Sequence, residues 1–215
     1  MTDPVTIAFV ETDLEAIATA RGRVAVFVTP DGKLDQGARR VNRLTKGALA
    51  RMIEAGTLEK MKPAEVKTLA WPTGLAAEAL DVVCLARGAK PEDVRKAGIA
   101  LGRVKGKAAL TVLGGSLRRP AELALGIALR SYEFETHKTG NRDDNAGVTL
   151  MVAKPDAARE EAAPLLAVAE GVFLTRDLVS EPANHLTTTE FASRISAITD
   201  LGMKVSILEE PELEK

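Results

Sequence analysis

The feature that most constrains the fold of this chain is the alternation of short apolar, β-branched runs with longer segments of helical periodicity. Residues 5–10 and 24–28 are runs of strand length, and further strands are predicted over 65–70, 80–85, 108–113 and 148–152. Apolar residues recur three and four apart between positions 36 and 55, which predicts one amphipathic helix, and further helices are predicted over 91–105 and 120–130. Strands interleaved with helices indicate an α/β fold, with a mostly parallel sheet covered by helices on both faces.

The pattern changes after residue 154. Residues 155–179 predict one long helix, and Pro182 prevents its continuation. A second helix is predicted over 187–201, where Thr187 and Glu190 have the spacing of a capping box, and a strand over 204–208. A strand and the first turn of a helix cannot bury their apolar faces alone. We therefore expect a second domain to begin near residue 180 and to be missing most of its residues here.

The charge balance argues against a nucleic-acid partner. The chain has 29 basic and 30 acidic residues and a net charge of −1, whereas nucleic-acid binders usually carry a basic excess that neutralises phosphates. Arg39, Arg40 and Arg43 have the spacing of a solvated helix face. Aromatic residues make up only 3% of the chain, so the core must consist of aliphatic side chains.

Cysteine usage and hydropathy bear on the compartment. The single cysteine, Cys84, cannot form an intramolecular disulfide, and its apolar neighbours indicate a small buried side chain on a strand. The residues after Met1 do not have the pattern of a signal peptide, which is a basic stretch and then an apolar run. No segment approaches the ~18 consecutive apolar residues that a membrane helix needs. These features predict a soluble, cytoplasmic protein without a membrane partner.

The sequence contains no self-sufficient active site. His137 and His185 are far apart and lack a neighbour at metal-ligand spacing, so both are expected to be surface or packing residues. Asp143, Asp144 and Asn145 resemble part of a calcium loop, but the terminal glutamate is absent and an exposed turn is the better interpretation. We therefore assign no catalytic, cofactor-binding or metal-ligating residue in this chain.

The turn Gly114-Gly115-Ser116 is the one feature with the form of a ligand site. Ligands of open α/β sheets bind at the carboxyl ends of strands, and glycine lets backbone N–H groups approach an anion. The alternative is a plain strand-to-helix turn. Two glycines and a serine are a weak signal for a ligand site, so the plain turn is the favoured interpretation.

The segment 175–192 contains a distinctive ordered set of residues: Arg176-Asp177-Leu178, Pro182-Ala183-Asn184, Leu186-Thr187 and Glu190-Phe191-Ala192. At these positions it resembles the linker of the leucyl (cytosol) aminopeptidase family. Ser180, His185 and Thr188 depart from the residues usual in that linker. Residues 130–139 resemble the family's Tyr-x-Phe-x-x-Tyr-Lys-Thr segment, with His137 for the second tyrosine, and residues 204–210 resemble the first strand and acidic turn of its catalytic domain.

The resemblance implies three parts: a macro-like α/β domain over 1–153, a linker helix over 154–182 and the truncated start of a peptidase domain over 183–215. It also implies a homohexamer with two divalent metal ions, manganese or zinc, in each active site, which removes amino-terminal residues from peptides. The family's metal ligands lie beyond the linker, so none is carried over. The 215 residues are expected to serve assembly and active-site access, and to be inactive alone.

A rival hypothesis is a self-standing macro-like module that binds a nucleotide or an ADP-ribose type of ligand. The stretch after residue 180 discriminates between the two, because a binding module has no use for an unfinished strand and helix.

Overall fold

The computed structural model of the chain describes residues 2–115, 117–139 and 145–213. Two compact units divide at Phe173, the first being Thr2–Phe173 and the second beginning at Leu174.

The first unit is built on a six-stranded sheet in the order β1-β6-β5-β2-β4-β3. Neighbouring strands are parallel except at the edge, where β3 runs antiparallel to β4. The mostly parallel sheet that the alternating strands and helices predict is confirmed. The strands are β1 (Ile7–Glu11), β2 (Arg23–Val28), β3 (Val66–Ala70), β4 (Ala79–Cys84), β5 (Leu110–Leu113) and β6 (Val148–Val152).

Alternate side chains of each strand enter two separate cores, one on each face of the sheet. In β2, Val24 and Val26 point into one core, while Ala25 and Phe27 point into the other. The first core is covered by α1 (Gln36–Leu44) and α2 (Ala48–Glu54), and the second by α3 (Pro91–Lys105), α4 (Pro120–Arg130) and the first part of α5 (Pro155–Ser180). Helices therefore cover both faces, as predicted.

Helices α3 and α4 pack backbone against backbone through two glycines. A Cβ on Gly98 would lie 2.2 Å from the carbonyl oxygen of Leu123, and one on Gly126 would lie 2.2 Å from that of Arg95. Any side chain at either position would collide with main chain, so glycine is required for this close approach.

The single helix predicted over 36–55 is wrong, because the structure has two helices there. Gly47 adopts a left-handed conformation with φ of 86°, and its N–H donates to the carbonyl oxygen of Asn42. The side-chain oxygen of Asn42 then accepts from the N–H of Ala50 in the first turn of α2. Both helices cover the same core, so the spacing of apolar residues continues across the break. The spacing alone therefore did not reveal the break at Gly47.

Helix α5 begins at Pro155, as expected, and continues for 26 residues. Within the first unit it is anchored by Ala162, Ala169 and Phe173, which are fully buried, and the Phe173 ring meets Tyr132 edge-on with centroids 5.0 Å apart. Val168 stays 57% exposed.

The second unit has almost no core. It contains the end of α5, then α6 (Thr188–Ser196), a 3-10 turn over Ala197–Leu201, and α7 (Glu210–Leu213). Thr187 caps α6 by accepting the Glu190 N–H at 3.2 Å, as the capping-box spacing predicts. No described residue after Asp177 is buried.

The strand predicted over 204–208 does not form. Residues 203–209 carry no regular secondary structure, because a strand needs a neighbour for its N–H and C=O groups and none of the described residues supplies one. Across the described part of the chain, no helix has the length and apolarity needed to span a membrane.

Candidate ligand cleft at the carboxyl edge of the sheet

Parallel strands place all their carboxyl ends at one edge of the sheet, and a cleft of the first unit lies at that edge. A cavity of about 480 Å³ lies where β1, β5 and β6 end and α1 begins. Its volume is within the range of about 300–1,000 Å³ typical of small-molecule sites. The lining consists of Glu11, Thr12, Asp35, Gln36, Gly37, Leu113, Gly115, Val152 and Ala153.

The acidic side of this cavity is set by β1 and by the start of α1. Glu11 is the last residue of β1 and is exposed. Asp35 is the N-cap of α1 and accepts the N–H of Ala38 at 2.8 Å, which fixes its carboxylate at the rim. Gly37 lets α1 approach β5, since a Cβ there would already lie 3.3 Å from Leu113.

A second cavity, of about 250 Å³, adjoins the first and carries the opposite charge. The two share Gly115, Val152 and Ala153 as a common wall. Arg118 and Lys154 line the second cavity together with one acid, Glu161. The two cavities together form one trough, called here the edge cleft, which is acidic at one end and mainly basic at the other.

The turn singled out in the sequence contributes to this cleft. Gly114 closes β5 by donating its N–H to the carbonyl oxygen of Met151 at 2.9 Å, and Gly115 lies in the shared wall. Ser116 falls outside the described residues, as do Asp143 and Asp144 of the supposed calcium-like loop. Asn145 accepts a hydrogen bond from Lys105 Nζ at 2.6 Å.

Thr12 also belongs to the wall, but its hydroxyl oxygen is enclosed and has no hydrogen-bond partner within the described residues. A ligand in the cleft cannot reach an enclosed atom, so we assign it no binding role. Asp35 and Lys154 were missed by sequence reasoning, because residues distant along the chain meet only when the sheet has formed.

Three further reactive residues, His137, His185 and Cys84, are not among the lining residues of the edge cleft. His137 is exposed in the first unit, with its ring 5.8 Å from that of Phe134, and His185 is exposed in the turn before α6 in the second unit. Cys84 is buried on β4, as expected, and burial followed by the nearby Glu65 carboxylate raises the pKa of its thiol. A buried thiol with a raised pKa is a poor nucleophile.

Neither unit taken alone suits a two-metal centre. Within the described residues of each unit, no three His, Cys, Asp or Glu side chains converge closely enough to hold a metal ion.

The buried carboxylate of Asp81 stabilises the sheet rather than forming part of the cleft. Asp81 on β4 is fully buried and forms a bidentate pair with Arg23 at 2.7 and 2.9 Å, while Thr68 Oγ1 donates to it at 2.6 Å. With its acceptors satisfied, the carboxylate ties β2, β3 and β4 together at one point.

The second unit is organised around the turn that follows α5. Arg194 of α6 pairs with Glu181 at 3.2 Å and with Glu190 at 2.8 Å. These two carboxylates raise the pKa of the Arg194 guanidinium, Glu190 more than Glu181. The Pro182 carbonyl accepts N–H groups from both His185 and Leu186, so the linker turn is internally hydrogen-bonded.

A family model and individual relatives place the chain in the same protein family. The sequence model of the cytosol aminopeptidase family, N-terminal domain, matches residues 25–141. A "Probable cytosol aminopeptidase" of Dinoroseobacter shibae is 48% identical over 215 residues, and one of Cereibacter sphaeroides is 47% identical. Both alignments cover 100% of this chain but only 44% of the relative, so the chain spans less than half the length of these curated relatives.

Solved structures show the same fold. A tomato leucine aminopeptidase mutant superposes with a TM-score of 0.74 over 99% of this chain and 46% of its own, at 17% identity. The bottromycin maturation enzyme, in a structure in complex with manganese, gives a TM-score of 0.61 over 91% of this chain and 40% of its own, at 25% identity. The family model and the curated relatives agree with the linker resemblance seen in the sequence, and the chain belongs to the cytosol aminopeptidase family, of which it carries the amino-terminal domain.

Proposed function

We propose that these residues are the amino-terminal part of a metal-dependent leucyl aminopeptidase that removes amino-terminal residues from peptides. The observation that carries the proposal is the alignment of the whole chain with two relatives named as probable cytosol aminopeptidases, of which it covers 44%. The reaction chemistry then belongs to residues that follow Lys215 in the full-length protein.

The full-length protein would use two divalent metal ions, manganese or zinc, to activate a water and hold the free amine of the peptide. The bottromycin maturation enzyme, a structural relative, is described with bound manganese, which favours that metal as the first to test. The ligands are expected beyond Lys215.

The role proposed for the present residues is assembly and control of access to the active site. The exposed apolar side chains of the second unit support this proposal, because extended apolar surfaces mark interfaces. Val179, Leu201, Leu208 and Leu213 are each more than half exposed, and they would be covered by the rest of the peptidase domain. We further propose that the full-length protein is a cytoplasmic homohexamer.

Hydrolysis of leucine p-nitroanilide tests the proposal directly. The full-length protein should hydrolyse it with manganese or zinc and lose activity with a chelator, whereas the 215-residue chain should give no turnover above the blank with either metal. Turnover by the 215-residue chain would contradict the proposal that the catalytic residues lie outside it. A full-length protein that folds and binds metal but is inactive would contradict the proposed aminopeptidase activity.

A further inference from the structure

Strand β3 lies at one edge of the sheet, and half of its backbone groups face away from the rest of the sheet. At the end of the β3–β4 ladder, the Trp71 N–H donates inward to the Glu78 carbonyl at 2.7 Å. In an antiparallel strand, successive residues turn their N–H and C=O groups to opposite sides. The backbone groups of Val66, Thr68 and Ala70 therefore point outward, and no described strand lies beside them.

This outward-facing stretch is symmetric about Thr68. On one side it ends at Ala64, whose N–H turns inward and donates to a carbonyl oxygen of β4 at 2.9 Å. On the other side it ends at Pro72, which has no N–H to donate. A second copy laid antiparallel, with Thr68 opposite its own Thr68, therefore pairs every outward-facing group, because Val66 then lies opposite Ala70 on both sides of the centre.

The side chains beside this edge complement those of a second copy in the same register. Trp71, the single tryptophan, is 76% exposed and has a φ of 47°, which bulky residues rarely adopt. In this register its ring lies opposite Glu65 of the second copy and diagonally across from Lys67 of that copy, within reach of a long side chain. An ammonium over an indole face is attracted to it. A lysine on an edge strand ordinarily opposes pairing, but here it meets an aromatic ring and not another lysine.

We propose that β3 pairs antiparallel with β3 of a second copy of this chain, about a twofold axis that passes through Thr68. Such a contact is isologous, so the contact between Trp71 and Lys67 is made twice. The inference deepens the assembly role proposed above and rests on it, because it names the surface and its partner. One strand pair is a small interface, so the isolated chain should pair weakly, and further contacts in the full assembly should add avidity.

Disulfide trapping of the 215-residue chain tests this register. Directly opposite residues of a hydrogen-bonded antiparallel pair have Cα atoms about 5.5 Å apart, which a disulfide can bridge. Thr68→Cys should therefore give a cross-linked dimer with oxidised glutathione on a non-reducing gel. Ala70→Cys is the matched control on the same strand, because its two copies would lie roughly 13 Å apart. The native Cys84 is buried and should not react.

A second trap leaves Thr68 in place, since its hydroxyl donates to Asp81 at 2.6 Å and its loss could disturb the fold. Val66→Cys and Ala70→Cys chains should cross-link to each other when mixed, because these two positions lie directly opposite in the proposed register. Neither chain should cross-link to itself.

The side-chain contacts are tested in the Thr68→Cys background. Lys67→Gln and Trp71→Ser should each slow cross-linking at least about threefold, because each removes both cation–π contacts. Val10→Ser removes an exposed apolar side chain from β1, at the opposite edge of the sheet, and should leave the rate unchanged.

The proposal is overturned if the cysteine variants remain folded by circular dichroism and neither the Thr68→Cys chain nor the mixture cross-links. It is also overturned if Ala70→Cys alone cross-links as fast as Thr68→Cys, because the contact would then have no fixed register. Hydrolysis of leucine p-nitroanilide by the full-length protein tests the catalytic assignment separately, so failure of the strand contact is distinguishable from failure of the proposed function.

Discussion

At the residue scale, loss of the Arg23–Asp81 pair should destabilise the fold more than loss of an exposed ion pair. Arg23→Met keeps roughly the length of the side chain but leaves Asp81, which is 0% exposed, with Thr68 as its one side-chain partner among the described residues. We expect a loss of about 3 kcal/mol in the free energy of unfolding, because an unpaired buried charge is not compensated. Urea unfolding followed by circular dichroism measures it.

The matched control for that prediction is Arg40→Met. Arg40 pairs with Glu15 at 2.9 Å, but the Glu15 side chain is 84% exposed, so the expected loss is below about 1 kcal/mol. Equal losses in the two variants would mean that burial does not set the importance of the Arg23 pair.

A second residue-scale prediction concerns pH. Hydrogen bonds from Lys33 and then Thr29 lower the pKa of the exposed Asp31 carboxyl from its ordinary 3.8 to about 2. Because the pKa is lowered, the stabilising contribution of the carboxylate is present above the ordinary pKa and is lost as pH falls towards 2. NMR titration of the Asp31 carboxyl carbon should give a midpoint near 2, and Lys33→Gln should raise it. A midpoint at the ordinary value in the unmodified chain would contradict the assigned contacts.

At the element scale, replacing glycine by alanine should have opposite effects on stability at two positions, one in the α3–α4 crossing and one on the exposed side of α5. Gly98→Ala places a Cβ 2.2 Å from the Leu123 carbonyl, so we expect a destabilisation of about 2 kcal/mol or more from overpacking. Gly171→Ala on α5 meets nothing within 4 Å and should stabilise the chain by about 0.5–1 kcal/mol through helix propensity. Thermal unfolding of the two variants measures both, and a tolerated Gly98→Ala would show that the helices can move apart freely.

At the scale of the whole molecule, the second unit should make the isolated chain self-associate. Val179 is 82% exposed and Leu201 78%, and we expect the apparent mass in light scattering to rise with concentration. Val179→Ser combined with Leu201→Ser should reduce that rise, whereas Val10→Ser, which removes a single exposed side chain from the first unit, should not.

Limited proteolysis of the isolated chain should cut near Pro182. A chain that is strictly monomeric and resists proteases would mean that these apolar residues are already satisfied.

Much of the first unit could be predicted because its information is local. The strands and helices from β4 to β6 appear nearly where the sequence places them, since β-branched runs, prolines at helix starts and apolar periodicity act over a few residues. The break at Gly47 was missed, because two helices that share one core keep one continuous apolar spacing. The strand over 204–208 was predicted from its composition, but a strand also needs a partner, which the described residues do not provide.

The sequence by itself determined the α/β class, the long helix α5 and, through the segment 175–192, the family. Only the tertiary structure decided which distant residues meet. Glu11, Asp35, Arg118 and Lys154 come from four separate segments, and they surround one cleft because the ends of β1, β5 and β6 lie at one edge of the sheet. The Arg23–Asp81 pair depends likewise on the register of β2 with β4. Local patterns encode elements, whereas a site depends on strand order and register, which are set by the burial of the whole sheet.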